Sequence, residues 1–419
     1  MGKTKVVIIG AGFGGLSIAK NLAGKNVDVL IIDKNNYHTF QPLLYQVATG
    51  GLEPDSIAYP IRRIFRGKKN IRFRMTQADK INVEDSSLNT TIGKIKYDYL
   101  VIATGSTNNF FNFEHNKNKL LSLKTITNAL DIRSYLMQNL ETVLTTTNKS
   151  EQEEIVNIAI IGGGPAGIEM AGALAEMKKK VLPKDFPEFN FDIMHIYLFE
   201  VAENLLPNMS RESSEFSLKY LTDLGVEVKL KTRVLNYDGH KIYLGDKTEF
   251  QTDTVIWTAG VQGELIGGIN KDVIVPGNRI IVNEFNQVLN SKNIFAIGDI
   301  AANIDDINPK GLPMLAQVAI QQGKHLAKNL LLLIQMKEMI PFKYKNKGIM
   351  ATVGRNKAVV DLPRYKFQGR LAWFVWMFIH LIALVGFRNK LVTFIDWAQN
   401  YLNYDRPLGI IIRKYKREE

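Results

Sequence analysis

Alternation of apolar and polar stretches divides the chain into repeating strand–helix units. Residues 6–9, VVII, are an unbroken β-branched run of the kind a strand buried on both faces requires. A glycine-rich turn, a helical pattern and a second apolar run ending at Asp33 complete the first unit. Residues 35–57, NNYHTFQPLLYQVATGGLEPDSI, follow neither the helical nor the strand period, and long irregular segments of this kind often carry function. Residues 71–78 and 81–85 read as edge strands. Residues 97–105, YDYLVIATG, read as a buried strand ending in a small-residue turn. Residues 141–154 are polar and read as the tail of a helix and a connection between domains.

The opening pattern then returns. Residues 155–177 give a strand, a glycine turn and a helix, and residues 193–200, IMHIYLFE, give a strand closing on Glu200. Residues 253–260, DTVIWTAG, end in Ala259 and Gly260 much as the earlier strand ended in Gly105. The two units have matching lengths, residues 10–105 and 162–260, so a whole nucleotide-binding domain is repeated. In the second, an inserted loop at residues 178–190 separates helix from strand. A third segment places Gly298 and Asp299 after a short strand. A long helix follows within residues 311–334, with Pro313 suited to its first turn. Ala316, Ala319 and Gly323 form a smooth stripe on it, and Gln317 and Gln321 share one face. Such a surface suits a planar ligand, or equally close packing of helix on sheet.

The last ninety residues change character. Residues 371–387 are apolar all round between Arg370 and Arg388, at the lower margin of the ~20 residues a bilayer span needs. Leu391, Phe394, Ile395, Ala398, Tyr401 and Leu402 then make an amphipathic stripe, and Arg413, Lys414, Lys416 and Arg417 follow. Three of the four tryptophans, Trp373, Trp376 and Trp397, lie here. Aromatics, short apolar helices and basic flanks suit an in-plane membrane anchor, or else a pairing or core helix.

Composition narrows the chemistry. The 419 residues allow two or three domains, and the formal net charge of +12 suits an anionic partner. The charge looks scattered and no basic arm is present, so nucleic acid ranks last. The cysteine count of zero excludes a disulfide framework, thiolate zinc sites and iron–sulfur clusters. Redox chemistry then has to run on a bound organic cofactor, and no metal site is expected. No signal-peptide pattern precedes the first strand, so secretion is not expected.

The glycines carry the specific chemistry. Gly10, Gly12 and Gly15 have GxGxxG spacing inside a complete strand–turn–helix–strand–acid unit. Gly10 allows the tight turn, Gly12 the approach of a pyrophosphate, and Gly15 close helix–strand packing. The anion sits at the helix N-terminus, and Asp33 is placed for a ribose diol. Gly162, Gly164 and Gly167 repeat this spacing, with Glu200 as the acid.

Taken with GAGFGGL, YHTFQPLLYQVATG, GGGPAGIEMAGALAE, WTAGV, FAIGD, AQVAIQQG and the aromatic C-terminus, the chain resembles the type II NADH dehydrogenases, single-subunit NADH:quinone oxidoreductases that do not pump protons. The resemblance spans nearly the whole chain. It implies an α/β fold of two Rossmann-like dinucleotide-binding domains, one for FAD and one for NADH, plus a C-terminal amphipathic-helix membrane anchor. Residues 1–120 and 285–335 would form the FAD domain, 121–284 the NADH domain and 336–419 the anchor. Gly10, Gly12, Gly15, Asp33, Thr104, Gly105 and Asp299 would hold FAD, with Gly14, Lys34, Pro42, Ala78, Ala316 and Val318 as further contacts. Gly162, Gly164, Gly167, Glu200, Ala259 and Gly260 would hold NADH, and Glu200 would repel a 2′-phosphate.

Gln317 and Gln321 match the family's quinone-site pattern beside the flavin. Glu169 would lie in the first turn of the second helix, ionised by the helix dipole, as a proton relay or only as a dipole-stabilised side chain. His38 fits a local hydrogen-bonding role. The implied setting is a respiratory chain on the cytoplasmic side of the cell membrane, bound peripherally, with pairing into a homodimer through the aromatic helices. Disulfide and sulfide:quinone reductases need cysteines that this chain lacks. The remaining alternatives are a soluble NADH:ferredoxin or rubredoxin reductase and a flavin-bound signalling or nucleic-acid-binding protein resembling apoptosis-inducing factor.

Overall fold

The computed structural model describes residues 2–403, 410–411 and 413–416. The chain forms two compact units, Met1–His38 with Tyr59–Asn109 and Val261–Asn346, and Thr39–Ala58 with Phe110–Gly260 and Lys347–Glu419.

In the first unit, five parallel strands lie in the order Ile294–Ala296, Tyr99–Ile102, Lys5–Ile9, Asp28–Asp33 and Ile71–Met75. Val6, Val7 and Ile8 are fully buried because helices and loops cover both faces of the sheet. Val7, Ile9, Ile32, Leu100 and Ile102 belong to one apolar core. The helix Phe13–Leu22 packs along the helix Ala316–Ile334. Gly323 permits this: a Cβ there would stand 2.6 Å from the Gly14 carbonyl oxygen.

The second unit repeats the plan. Its parallel strands run in the order Leu121–Ser122, Thr254–Trp257, Ile158–Ile161, Ile196–Phe199 and Val226–Lys229. The flanking strand comes from the N-terminal side here and from the C-terminal side in the first unit, while the central order is the same. Each unit adds a three-stranded antiparallel sheet, Ala78–Asn82 with Ser87–Thr90 and Gly93–Lys96 in one, Val234–Tyr237 with Lys241–Leu244 and Glu249–Gln251 in the other. The second unit also holds the sheet Ile349–Thr352, Ala358–Asp361 and Lys366–Gln368, and the helices Arg370–Ala383 and Phe387–Asn403.

Several expectations need correction. Residues 141–154 do not link the two units. They end the helix Ile126–Thr145 and form most of a second helix, Lys149–Val156, both inside the second unit. The insertion at 178–190 is partly helical, since Pro165–Lys180 extends into it and Leu182–Asp185 follows. The glutamine helix starts at Ala316, so Pro313 precedes it. The compact units are also cut elsewhere than expected. Residues 261–284 belong with the first, where Val261–Gly263 pairs with Ser106–Asn108, while Thr39–Ala58 belongs with the second. The apolar run at 371–387 is broken, because Leu384 leaves the helical region and Gly386 takes φ +89°. The first C-terminal helix has 14 residues, about 21 Å long against a ~30 Å hydrocarbon core. Among the described residues no helix is long and apolar enough to cross a membrane. Arg417 and the side chain of Leu402 lie outside the described residues.

Candidate functional site

The two glycine turns have the same geometry. Gly10 and Gly162 adopt φ of +101° and +114°, open to glycine and costly for other residues. A Cβ on Gly15 or Gly167 would stand 1.9 Å from the carbonyl oxygen of Gly10 or Gly162 respectively. Gly12 and Gly164 are different: no atom lies within 4 Å of where their Cβ would stand. Each caps its helix without a side-chain hydrogen bond, leaving first-turn N–H groups and open space for an anion.

The two acids hold the loops in the same way. Asp33 accepts hydrogen bonds from the Ala11 N–H at 2.7 Å and the Asn35 N–H at 2.7 Å. Glu200 accepts them from Gly163 at 2.5 Å and Ala202 at 2.7 Å. Burial pushes Asp33 above its usual range, and these N–H donors work against it. The His38 imidazole Nδ1–H donates to the Ala11 carbonyl at 3.0 Å, and its ring meets Phe13 edge-on. Burial lowers His38 to about 4, so it is neutral at physiological pH. Its place is local, as expected.

Other first-unit candidates are tied into the same frame. The Thr104 hydroxyl donates to the Glu264 carbonyl at 2.7 Å, and Lys34 pairs with the Glu264 carboxylate at 2.7 Å. The Ser106 hydroxyl donates to Asp299 at 2.6 Å. Gly105, at φ +74°, faces open space. Ala78 starts an antiparallel strand. Ala316 opens the glutamine helix and Val318 is buried in its first turn. Pro42 lies in the second unit.

The Gln321 amide donates to the Lys345 carbonyl at 2.9 Å and accepts from the Lys345 N–H at 3.1 Å. Sequence reasoning missed Gln322. It is 1% exposed, accepts from the Gly298 N–H at 2.8 Å and donates to Asn286 at 2.8 Å. Its signal was its place next to Ala319 and Gly323 on the packed side.

In the second unit, Ala259 backs Gly162 and Gly260 adopts φ +105° against the Phe111 ring. Glu169 is not in the first turn, because the helix begins at Pro165. Nor does the dipole keep it ionised: at 8% exposure, desolvation pushes it up to about 8. The Thr352 N–H, a weak donor at 3.4 Å, and the neighbouring Trp376 indole oppose this only in part. The carboxyl is therefore mostly protonated at neutral pH.

Thr352, the hydrogen-bond partner of Glu169, is one wall of a cleft that sequence reasoning did not find. Its walls include Tyr45, Thr49, Thr352, Trp373, Trp376 and Trp397. Trp397 Nε1–H donates to Gln46 at 2.7 Å, Gln46 donates to the Tyr45 hydroxyl at 2.9 Å, and that hydroxyl meets Thr352 Oγ1 at 3.0 Å. The cleft combines five aromatic side chains with fixed polar groups and the charged Glu176 and Arg355, a surface for a flat ligand with polar edges.

Trp376 and Trp397 thus face inward and do not form an aromatic anchor. The outer face of the two C-terminal helices is instead Leu371, Phe374, Phe378, Ile382, Phe387, Leu391, Phe394 and Ile395, all exposed. Arg370, Arg388 and Lys390 flank them.

A family model described as pyridine nucleotide-disulphide oxidoreductase matches residues 4–323, and one for the NDH2 C-terminal domain matches residues 346–404. The type II NADH:quinone oxidoreductase Ndh of Mycobacterium tuberculosis is 31% identical, covering 96% of this chain and 89% of its own. The chain belongs to the type II NADH:quinone oxidoreductases. NDH2 from Plasmodium falciparum, solved in complex with NADH, has the same fold at a TM-score of 0.89 and 24% identity, covering 97% of this chain and 99% of its own. The sulfide:quinone oxidoreductase of Aquifex aeolicus shares the fold at 0.73 and 20% identity, covering 96% of each chain. The cofactor of this family is FAD. The open cradle at Gly12, the uncapped helix start and Asp33 fit its pyrophosphate and ribose.

Proposed function

We propose that this chain oxidises NADH and reduces a membrane quinone without pumping protons, held peripherally on the cytoplasmic face of the cell membrane by its two C-terminal helices. FAD, once bound, would supply the redox chemistry between NADH and quinone. The first glycine loop, with Asp33, Thr104, Gly105 and Asp299, binds and orients FAD. Gly14, Lys34, Pro42, Ala78, Ala316 and Val318 add contacts. The second loop, with Gly164, Glu200, Ala259 and Gly260, binds NADH, and the Glu200 carboxylate disfavours a 2′-phosphate.

Gln317 and Gln321 shape the quinone end in the first unit, and the cleft of the second, taken by itself, suits a flat ring such as a quinone head group. Glu169, protonated at neutral pH, holds a proton at its carboxyl for the reduced quinone. The observation that carries this reading is the duplicated glycine–strand–acid geometry, with the backbone open at both Gly12 and Gly164. The exposed apolar face of the C-terminal helices supports the membrane site. Pairing of two chains across that face would cover the same surface, and sedimentation with and without detergent separates the two arrangements.

The test is steady-state NADH oxidation with a soluble quinone or a ferredoxin-type protein as acceptor. Quinone-dependent turnover is expected, with Gln317→Ala and Gln321→Ala raising the quinone KM and leaving the NADH KM unchanged. Turnover only with the protein acceptor would overturn the assignment.

A further inference from the structure

One strip of the chain carries cations with no acidic side chain among them. No acidic residue occurs between Asp55 and Asp79, while Arg62, Arg63, Arg66, Lys68, Lys69, Arg72 and Arg74 do. These seven cations compare with a net charge of +12 for all 419 residues. All seven are exposed, on the short helix Ile61–Ile64, the turn after it and the edge strand Ile71–Met75.

Protection of a sheet edge explains part of the pattern. Arg72 and Arg74 alternate with buried Ile71 and Phe73, and charged side chains on an edge strand deter unwanted pairing. Arg72 also pairs with Asp28. The other five lie off the strand and need another reason. Arg63, Arg66, Lys68 and Lys69 form no ion pair among the described residues, and Arg62 lies over the Phe73 ring at 5.2 Å. Arg62, Arg72 and Arg74 rim an open groove floored by Ile61, Phe65, Ile71 and Phe73, and Met75 is exposed on the same strand. The aromatic rings are buried in the floor, so no exposed ring of the groove offers a stacking platform for a base. A cationic rim over an apolar floor complements an amphiphilic anion, and long basic side chains can lay their stems on apolar surface while their charges meet headgroups.

We propose that this strip is an electrostatic membrane contact of the first unit, separate from the apolar helices of the second, and that it recognises anionic phospholipid headgroups. The inference rests on the membrane location proposed above. Juxtamembrane Lys and Arg each raise partitioning onto an anionic bilayer about fivefold, an effect that fades within a Debye length as salt rises.

The test is flotation of the full-length, FAD-loaded protein with vesicles of phosphatidylcholine alone or with phosphatidylglycerol added. The variant is Arg63→Gln/Arg66→Gln/Lys68→Gln/Lys69→Gln, four exposed side chains outside the catalytic machinery. Its affinity for the anionic vesicles is expected to fall tenfold or more, with a flatter salt dependence. Binding to phosphatidylcholine and NADH oxidation with a soluble quinone should not change. Equal binding of parent and variant to anionic vesicles would overturn the proposal, leaving the C-terminal helices as the whole anchor. Equal losses on both vesicle types would also overturn it, because the effect would not be electrostatic. Failure of the parent to bind either vesicle would remove the membrane location itself. Salt-sensitive binding to duplex DNA in place of vesicles would reassign the strip to nucleic acid.

Discussion

At Gly15 and Gly167 a single methyl group would meet a carbonyl oxygen at 1.9 Å, so helix and loop would have to separate. Gly15→Ala should destabilise the first unit by about 3 kcal/mol and release FAD, measured as the flavin content of the purified protein. Gly167→Ala should keep FAD and lose NADH-dependent flavin reduction. Glu200→Gln should narrow the preference for NADH over NADPH by about 1–2 kcal/mol, read as the ratio of the two kcat/KM values. Glu169 gives a pH signature. Its folded value, about 8, lies above the ordinary 4.5, so its contribution to stability is fully present below about 4.5 and is lost as pH rises through about 8. Denaturant titrations should show that loss in the parent and not in Glu169→Gln. The glycine and acid roles were legible because they depend on neighbours within one strand–helix–strand unit. The state of Glu169 was not, because it is set by burial beside Thr352, 183 positions away.

The C-terminal helices show both what the apolar pattern reveals and what it conceals. Their hydrophobicity and basic flanks were plain in the sequence, and so was the stripe of Leu391, Phe394 and Ile395, which is exposed. The division of labour among the aromatics was hidden, because a helix that is apolar all round does not say which side has a partner. Trp376, 1% exposed, stacks on His380 at 3.9 Å and lines the cleft, while Phe378, 64% exposed, points outward. The break at Leu384 and Gly386 was also hard to see inside an unbroken apolar run. Replacing Phe378, Phe387 and Phe394 by Ser should remove about 2 kcal/mol of membrane partitioning each. The protein should then appear in the soluble fraction after cell breakage while retaining turnover with a soluble quinone. If the variant stays with the membrane even in high salt, which screens the basic strip, these helices are not the anchor.

For the molecule as a whole, the duplicated domain plan was readable because the strand–glycine–helix–strand–acid pattern recurs almost intact. The identical central strand order and the matching Asp33 and Glu200 hydrogen bonds are its structural expression. The edges of the units were less readable. Residues 261–284 belong with the first unit through the strand pairing of Val261–Gly263, and the segment Thr39–Ala58 belongs with the second, long-range pairings that local periodicity does not encode. The charge strip at 62–74 was likewise hidden by averaging charge over the whole chain. The central claim is that NADH held at the second glycine loop reduces the FAD held at the first, and that quinone reoxidises it. Rapid anaerobic mixing of the FAD-loaded protein with NADH, followed by a soluble quinone, tests it most directly. Fast loss of the oxidised flavin absorbance and fast recovery on quinone are predicted. Loss without recovery would contradict the quinone half of the claim, and no loss at all would contradict the NADH half.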